Sequence, residues 1–173
     1  MTPSIEPLAA TPTAAELSDL CALLRDVVEG GASIGFMLPI ADAEITAFWS
    51  GVIAGVAAQQ RFVFVARDAS RIVGSVQLAL APQPNGRHRA ELQKLLVHRS
   101  HRRRGLGAAL LRAAESAARA HGRTLIVLDS GETGNALGLY DRGGYMRVGV
   151  IPHFAAHPHG GLMNTVVYYK ELA

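Results

Sequence analysis

The eighteen residues from Ala90 to Gly107, AELQKLLVHRSHRRRGLG, join a strand-like run to a helical one through a short basic loop that holds two glycines. Gly105 and Gly107 let the backbone come close to a ligand. Leu106 to His121 reads as a helix whose first N–H groups lack intrahelical partners, and an anion is the natural partner for such donors. Strand, glycine loop and helix in that order are built to hold a phosphorylated ligand, and a chain that carries them packs helix against sheet.

The rest of the chain supplies further layers. Thr13 with Glu16 predicts a capping box after Pro12, and Leu17, Leu20, Cys21, Leu24 and Val28 then recur at helical spacing until Gly30 and Gly31 stop the pattern. A second helix is predicted from about Asp42 to Gln60, with Ile45, Phe48, Trp49, Val52, Ile53 and Val56 on one side. Two helices thus precede any strand. RFVFVA (Arg61 to Ala66) and IVGSVQLAL (Ile72 to Leu80) read as a β-hairpin about a turn at Asp68 to Arg71, and Asn85-Gly86 signals a turn before a strand at Arg89 to Val97. After the loop and its helix come a strand from Thr124 to Asp129, a small helix from about Thr133 to Arg142, and a final strand pair, Tyr145 to Ile151 and Leu162 to Lys170, around a loop of histidines and prolines. The reading is one mixed α/β domain spanning residues 1–173.

Composition excludes several classes. With 173 residues and 49% hydrophobic content the chain suits a single globular domain with a sizeable core. MTPSIEPLAATPTAAEL has neither a basic n-region nor an apolar core, and no run approaches the roughly 18 apolar residues that span a bilayer, so a soluble, cytoplasmic protein without a membrane partner is expected. Cys21 is the only cysteine, which rules out an intrachain disulfide and a cysteine-rich metal site; on its apolar stripe it reads as a buried thiol. A net charge of +3 is too small to imply nucleic-acid binding, and no aromatic residues interleave with Arg99, Arg102, Arg103 and Arg104. His153, His157 and His159 are spaced too irregularly for a zinc motif, and no metal is expected.

The glycine loop can be set against known phosphate holders. A dinucleotide fingerprint needs a third glycine where this chain has Leu110, and the G-K-[ST] ending of a P-loop is absent. What fits is [R/Q]-x-x-G-x-[G/A], satisfied by Arg102, Gly105 and Gly107. In its strand-to-helix setting this resembles the GCN5-related N-acetyltransferase (GNAT) family, in which the loop grips the pyrophosphate of acetyl-coenzyme A. The order of elements is similar over nearly the whole chain. The resemblance implies the GNAT acyl-CoA N-acyltransferase fold, a mixed, mostly antiparallel sheet with helices on both faces. GGASIGFM, PNGRHRAELQKLLV, RRRGLG, LDS and VGVIPHFAAHPHGGLMNTVVYYKEL are further similar to stretches of a branch of the family that acylates the amino group of an amino-acid toxin.

The resemblance also implies a set of site residues. Alternation along the strand sets Glu91, Gln93, Leu95 and Val97 on one face and Leu92, Lys94 and Leu96 on the other, with Lys94 breaking an apolar row. In the family this strand is bulged and splays from its neighbour, so that the pantetheine arm adds like another strand; that role falls here to the backbone of Leu95, Leu96 and Val97. Backbone amides from Arg102, Arg103, Arg104, Gly105, Leu106, Gly107 and Ala108 would hold the pyrophosphate. The bland reading of the same cluster is a solvated basic turn, but cations at a helix start are electrostatically misplaced unless an anion joins them.

Transfer to an amine requires the amine to lose a proton, and an alkyl ammonium of pKa roughly 10 is mostly charged near neutrality. Glu91 and Asp129 are the two carboxylates placed to act as base, directly or through water. Structural alternatives are a turn cap for Asp129 and, for Glu91, pairing with Arg89 or a neighbouring strand. By the same resemblance Tyr140, followed by Gly144 and Tyr145, would stand by the coenzyme sulfur as proton or hydrogen-bond donor, with Tyr145 a packing residue. Thr133 occupies the position of an asparagine common in the family, and Asn135 is displaced from it by two. The expected function is acetyl-coenzyme A-dependent transfer to a small-molecule amine (an amino-acid-like metabolite, antibiotic or toxin) by direct attack in a ternary complex. The alternatives are protein acetylation and a noncatalytic acetyl-CoA-binding module. A monomer or homodimer is expected.

Overall fold

The computed structural model describes residues 3–133 and 136–172. The capping box at Thr13 is formed: its hydroxyl accepts from the Glu16 N–H at 3.2 Å, and the Glu16 carboxylate accepts from the Thr13 N–H at 2.7 Å. Two orphan donors are satisfied by local chemistry, and α1 (Ala14–Glu29) buries Leu20, Leu24 and Val28 of the predicted stripe together with Leu23 and Val27, whereas Leu17 and Cys21, the latter expected as a buried thiol, are only half-buried. α2 (Asp42–Ala57) ends a turn earlier than the spacing suggests. Trp49 of α2 is buried and donates its indole N–H to the Leu20 carbonyl at 3.1 Å, so the apolar ring locks the helices together while its one polar atom is satisfied.

The expectation that two helices precede any strand is corrected by β1 (Ser4–Pro7), which pairs antiparallel with β2 (Arg61–Asp68). β1 lies at the sheet edge, where Pro7 can be accommodated without breaking an interior ladder. β3 (Arg71–Leu80) and β4 (Arg89–Val97) extend the antiparallel run from β2. The crossover helix α3 (Leu106–Ala120) then makes β5 (Leu125–Gly131) parallel to β4. A short α4 (Leu137–Arg142) leads to β6 (Met146–Ala156) and β7 (Leu162–Glu171). Among the described residues the sheet has seven strands in the order β1-β2-β3-β4-β5-β7-β6.

Helices cover both faces, as the mixed α/β reading expects. α1 and α2 pack over Val63, Val65, Ile72 and Leu96, whereas α3 and α4 pack over Val76, Leu78, Leu92, Ile126 and Leu128. Each such fully buried side chain contributes roughly 1.5–3 kcal/mol relative to exposure. β6 absorbs half of the expected loop: it continues through Pro152 and His153 to Ala156, with a register shift between Ile151 and Ala155 and His153 at φ +52°. As the other edge strand it tolerates the N–H that Pro152 lacks. Among the described residues no helix is long and apolar enough to cross a membrane.

Candidate functional site

β4 carries a bulge. Its register with β3 runs Gln77 to Gln93 and resumes at Ser75 to Leu96, so β4 accommodates one extra residue, and Lys94 takes a left-handed conformation at φ +49°. An extra residue reverses the alternation that follows it. Leu92 packs into the α3-side core and Leu96 into the α1–α2 core, while Leu95 and Val97 lie against the α3 side. The expectation that Glu91, Gln93, Leu95 and Val97 share one face is therefore corrected, because the row switches faces at the bulge. On the other edge, β4 pairs with β5 only from Arg89 to Glu91. Beyond Glu91 the strands part, and a groove of about 1890 Å³ opens with Leu95, Leu96 and Val97 on one wall and Asp129, Ser130 and Gly131 on the other.

The start of α3 faces this groove. Gly105 is its N-cap, left-handed at φ +80° and without a side-chain cap. The intrahelical ladder begins with Ala109 N–H to Gly105 C=O at 3.1 Å, so the amides of Leu106, Gly107 and Ala108 precede it, and these residues line the groove. Arg103 is also left-handed, at φ +61°, a conformation that costs a non-glycine roughly 1–2 kcal/mol. An uncapped helix start below a strained loop is a concentration of N–H donors that fits a diphosphate.

The basic cluster divides by function. Arg99 is spent on Asp26, which accepts from its backbone N–H and its guanidinium, both at 2.8 Å. Burial of Asp26 would raise its pKa, but these bonds and His98 outweigh it and hold the carboxyl below the usual range. Arg104 lies 3.6 Å from Asp68, which also accepts from His101 at 3.2 Å, and among the described residues it is not part of the groove wall. Its guanidinium thus answers Asp68, and only the backbone of Arg104 remains a candidate for the anion. Arg102 lines the groove and donates to the Val97 carbonyl at 3.2 Å. Arg103 lines it as well, with no ion pair among the described residues.

Glu91, Asp129 and Tyr140 line the same groove. Asp129 accepts from the Thr165 hydroxyl at 3.1 Å across the β5–β7 pair rather than capping a turn, and Glu91 makes no ion pair with Arg89 among the described residues. Tyr140 is 5% exposed; burial first, then the charge of Asp129 and the neighbouring Tyr168, hold its phenol protonated far above its ordinary range. Its ring packs edge-on to Tyr145 at 5.8 Å, and burial first, then the neighbouring Glu115, raise the pKa of the Tyr145 phenol. Thr133 lines the groove, whereas Asn135 lies outside the described residues. Among the described residues no group of histidine, cysteine or carboxylate side chains could hold a metal.

Two groove residues escaped sequence reasoning. Arg61, at the start of β2, directs one nitrogen at the Gln77 and Gln93 amide oxygens, the latter at 2.9 Å. Lys94, noticed only as a break in an apolar row, is the bulge residue. Burial lowers the pKa of both; Glu91 opposes it for Arg61, and Asp129 and Glu91 oppose it for Lys94. A charged residue inside an otherwise apolar strand was the available signal for Lys94, and Arg61 offered none.

The model of the acetyltransferase (GNAT) family matches residues 33–145. An uncharacterized N-acetyltransferase from the hisH-hisA intergenic region of Azospirillum brasilense is 34% identical over 120 residues, 68% of this chain and 70% of that protein. The fold is similar to that of an N-acetyltransferase from Staphylococcus aureus Mu50, with a TM-score of 0.83 at 16% identity over 100% of both chains. It is also similar to a phosphinothricin acetyltransferase from Sinorhizobium meliloti in complex with AcCoA, with a TM-score of 0.82 at 19% identity over 100% of this chain and 90% of that one.

Proposed function

The chain belongs to the acetyltransferase (GNAT) family and is an acetyl-CoA-dependent acetyltransferase, and from that premise we propose that it acetylates the amine of a small, amino-acid-like molecule by direct attack in a ternary complex. The observation that carries this reading is one groove lined by the uncapped amides of α3, two carboxylates and a buried phenol. Acetyl-CoA supplies an activated thioester carbonyl. The α3 amides from Leu106 to Ala108 hold its diphosphate, and the unpaired edge of β4 after Glu91 receives the arm that leads to the thioester.

In the reaction the amine nitrogen bonds the acetyl carbon, the carbon–sulfur bond breaks, the amine gives up a proton and the sulfur departs as a thiolate, which takes its proton from solvent. Glu91 or Asp129, both open to the groove, takes the proton from the amine. Tyr140 stands at the sulfur. Its raised pKa makes complete transfer to a thiolate of pKa near roughly 8.5 uphill, so it stabilises the leaving sulfur by donating a hydrogen bond. Cys21 has no part in an acyl-enzyme: burial first, and the charge of Asp42 next, raise its pKa and keep the thiol protonated.

The resemblance of the substrate-side loops to tabtoxin resistance protein supports the finer form of the proposal, a cytoplasmic enzyme that inactivates an amino-acid toxin or antibiotic. The test is acetyl-CoA calorimetry followed by a thiol-release assay over a panel of amines. Binding plus acceptor-dependent thiol release is the expected result. Absence of acetyl-CoA binding at saturating concentration, or acetylation of protein lysines and N-termini with every small amine refused, would overturn it.

A further inference from the structure

We propose that the acceptor carries a carboxylate close to its amine, and that Arg61 and Lys94 are the specificity-determining pair that receives that carboxylate. This rests on the transferase reading above and names the substrate class for its acceptor end.

The argument begins with charge. Glu91, Asp129, Arg61 and Lys94 all face one part of the groove. The carboxylates are exposed and solvated by the groove, but the two cations are only partly accessible. Among the described residues neither Arg61 nor Lys94 has an ion-pair partner within 4.0 Å. Elsewhere this fold treats partly buried cations differently: Arg67 is flanked by Glu6 and Glu16, and Lys170 meets Glu115 at 2.8 Å and the Gly143 carbonyl at 2.7 Å. Glu91 and Asp129 act on the pair only from beyond contact distance, and a partly desolvated cation with no contacting counter-charge is costly unless an anion joins it.

Geometry then points the pair at a ligand. Arg61 is oriented by two neutral amide oxygens, from Gln77 and Gln93, that fix its plane without cancelling its charge. Those contacts engage one nitrogen of a guanidinium whose fork suits a carboxylate. Lys94 is turned by the bulge, and its ammonium lies 3.8 Å from where a side chain at Gly35 would begin. Gly35, at φ +91°, thereby leaves open the space between the α1–α2 loop and Lys94.

A zwitterion satisfies all four groups at once. Its amine is drawn to Glu91 and Asp129, the groups that deprotonate it, and its carboxylate neutralises Lys94 and Arg61. An amine without the acid leaves both cations without a contacting anion. The same argument disfavours a protein acceptor, since neither a lysine side chain nor a peptide N-terminus carries a free carboxylate beside its amine.

The test uses matched acceptors, each amino acid beside its carboxamide and its decarboxylated amine, with wild-type protein and the variants Lys94→Met and Arg61→Gln. Wild type is expected to favour the amino acid in kcat/KM by about tenfold to a hundredfold, the range of a charge-assisted hydrogen bond. Each variant should collapse that ratio toward one, chiefly through KM for the amino acid. Because the wild-type ratio needs no mutant, a variant that fails to fold leaves the proposal open to refutation. Equal use of acid and carboxamide, or variants that keep the ratio, overturns the inference and leaves the transferase standing. So does a protein that binds acetyl-CoA calorimetrically yet accepts none of the amino acids. A protein that fails to bind acetyl-CoA removes the reading beneath it.

Discussion

Gly107→Val tests the cradle directly. A Cβ at position 107 would lie 3.1 Å from Leu139 Cδ2, tighter than ordinary contact, and the two further methyls of valine would press on α4 or project into the groove beside the first amides of α3. Displacing a diphosphate from two of those amides forfeits two hydrogen bonds to a charged group, about 1.5–3 kcal/mol each. At about 1.4 kcal/mol per tenfold this raises the acetyl-CoA Kd by at least roughly a hundredfold. Overpacking against Leu139 costs about 1–3 kcal/mol and the lost glycine entropy penalty returns about 0.5–1, so the ligand-free Tm should fall by only a few degrees. Gly107→Ala, which asks only the flexible end of Leu139 to yield, should stay within about threefold of wild type in affinity. Calorimetry with acetyl-CoA and a thermal melt read both quantities. Pairing Gly107→Val with Leu139→Ala separates the causes: the double variant should recover its Tm but not its affinity. Unchanged Kd in the single variant, or affinity restored in the double, refutes the obstruction argument.

Tyr140→Phe removes one hydroxyl from a buried ring and should lower kcat by about tenfold to a hundredfold with little change in acetyl-CoA affinity; equal turnover would take Tyr140 out of the leaving-group role. Cys21→Ala should retain turnover and show no acylated protein by mass spectrometry, and loss of activity in a folded variant would contradict direct transfer. Asp19, 6% exposed, accepts from Arg71 at 2.6 Å and from the Ile72 N–H at 2.9 Å, tying α1 to β3. Asp19→Ala orphans that amide and should cost about 1–3 kcal/mol in urea unfolding, whereas Asp19→Asn should lose less than half of that; equal losses would show that charge rather than the amide acceptor matters.

What the sequence disclosed was local. The Thr13 capping box, the β2–β3 hairpin and the glycine start of α3 are each written within a few residues, and each forms near its predicted place. What it concealed depends on partners far along the chain. β1 is a strand only because β2 pairs with it, and Pro3 just before it and Pro7 at its last position mask it. The fates of Arg99 and Arg104 are decided by Asp26 and Asp68 on other elements, so four similar arginines could not be told apart beforehand. Arg61 gains meaning only when Gln77 and Gln93 from two further strands close around it. Periodicity counted Lys94 as an imperfection, because alternation assumes an unbroken pleat.

That one surplus residue in β4 divides a single strand into two independent workshops. Upstream, Glu91 and Gln93 line the groove; downstream, Leu95 and Val97 turn to the α3 side and Leu96 to the α1–α2 side. A substitution at Glu91 or Gln93 therefore leaves the packing of Leu95 and Val97 against the α3 side in place. Removing residue 94 would fuse the halves, rotating every side chain after it at a stroke.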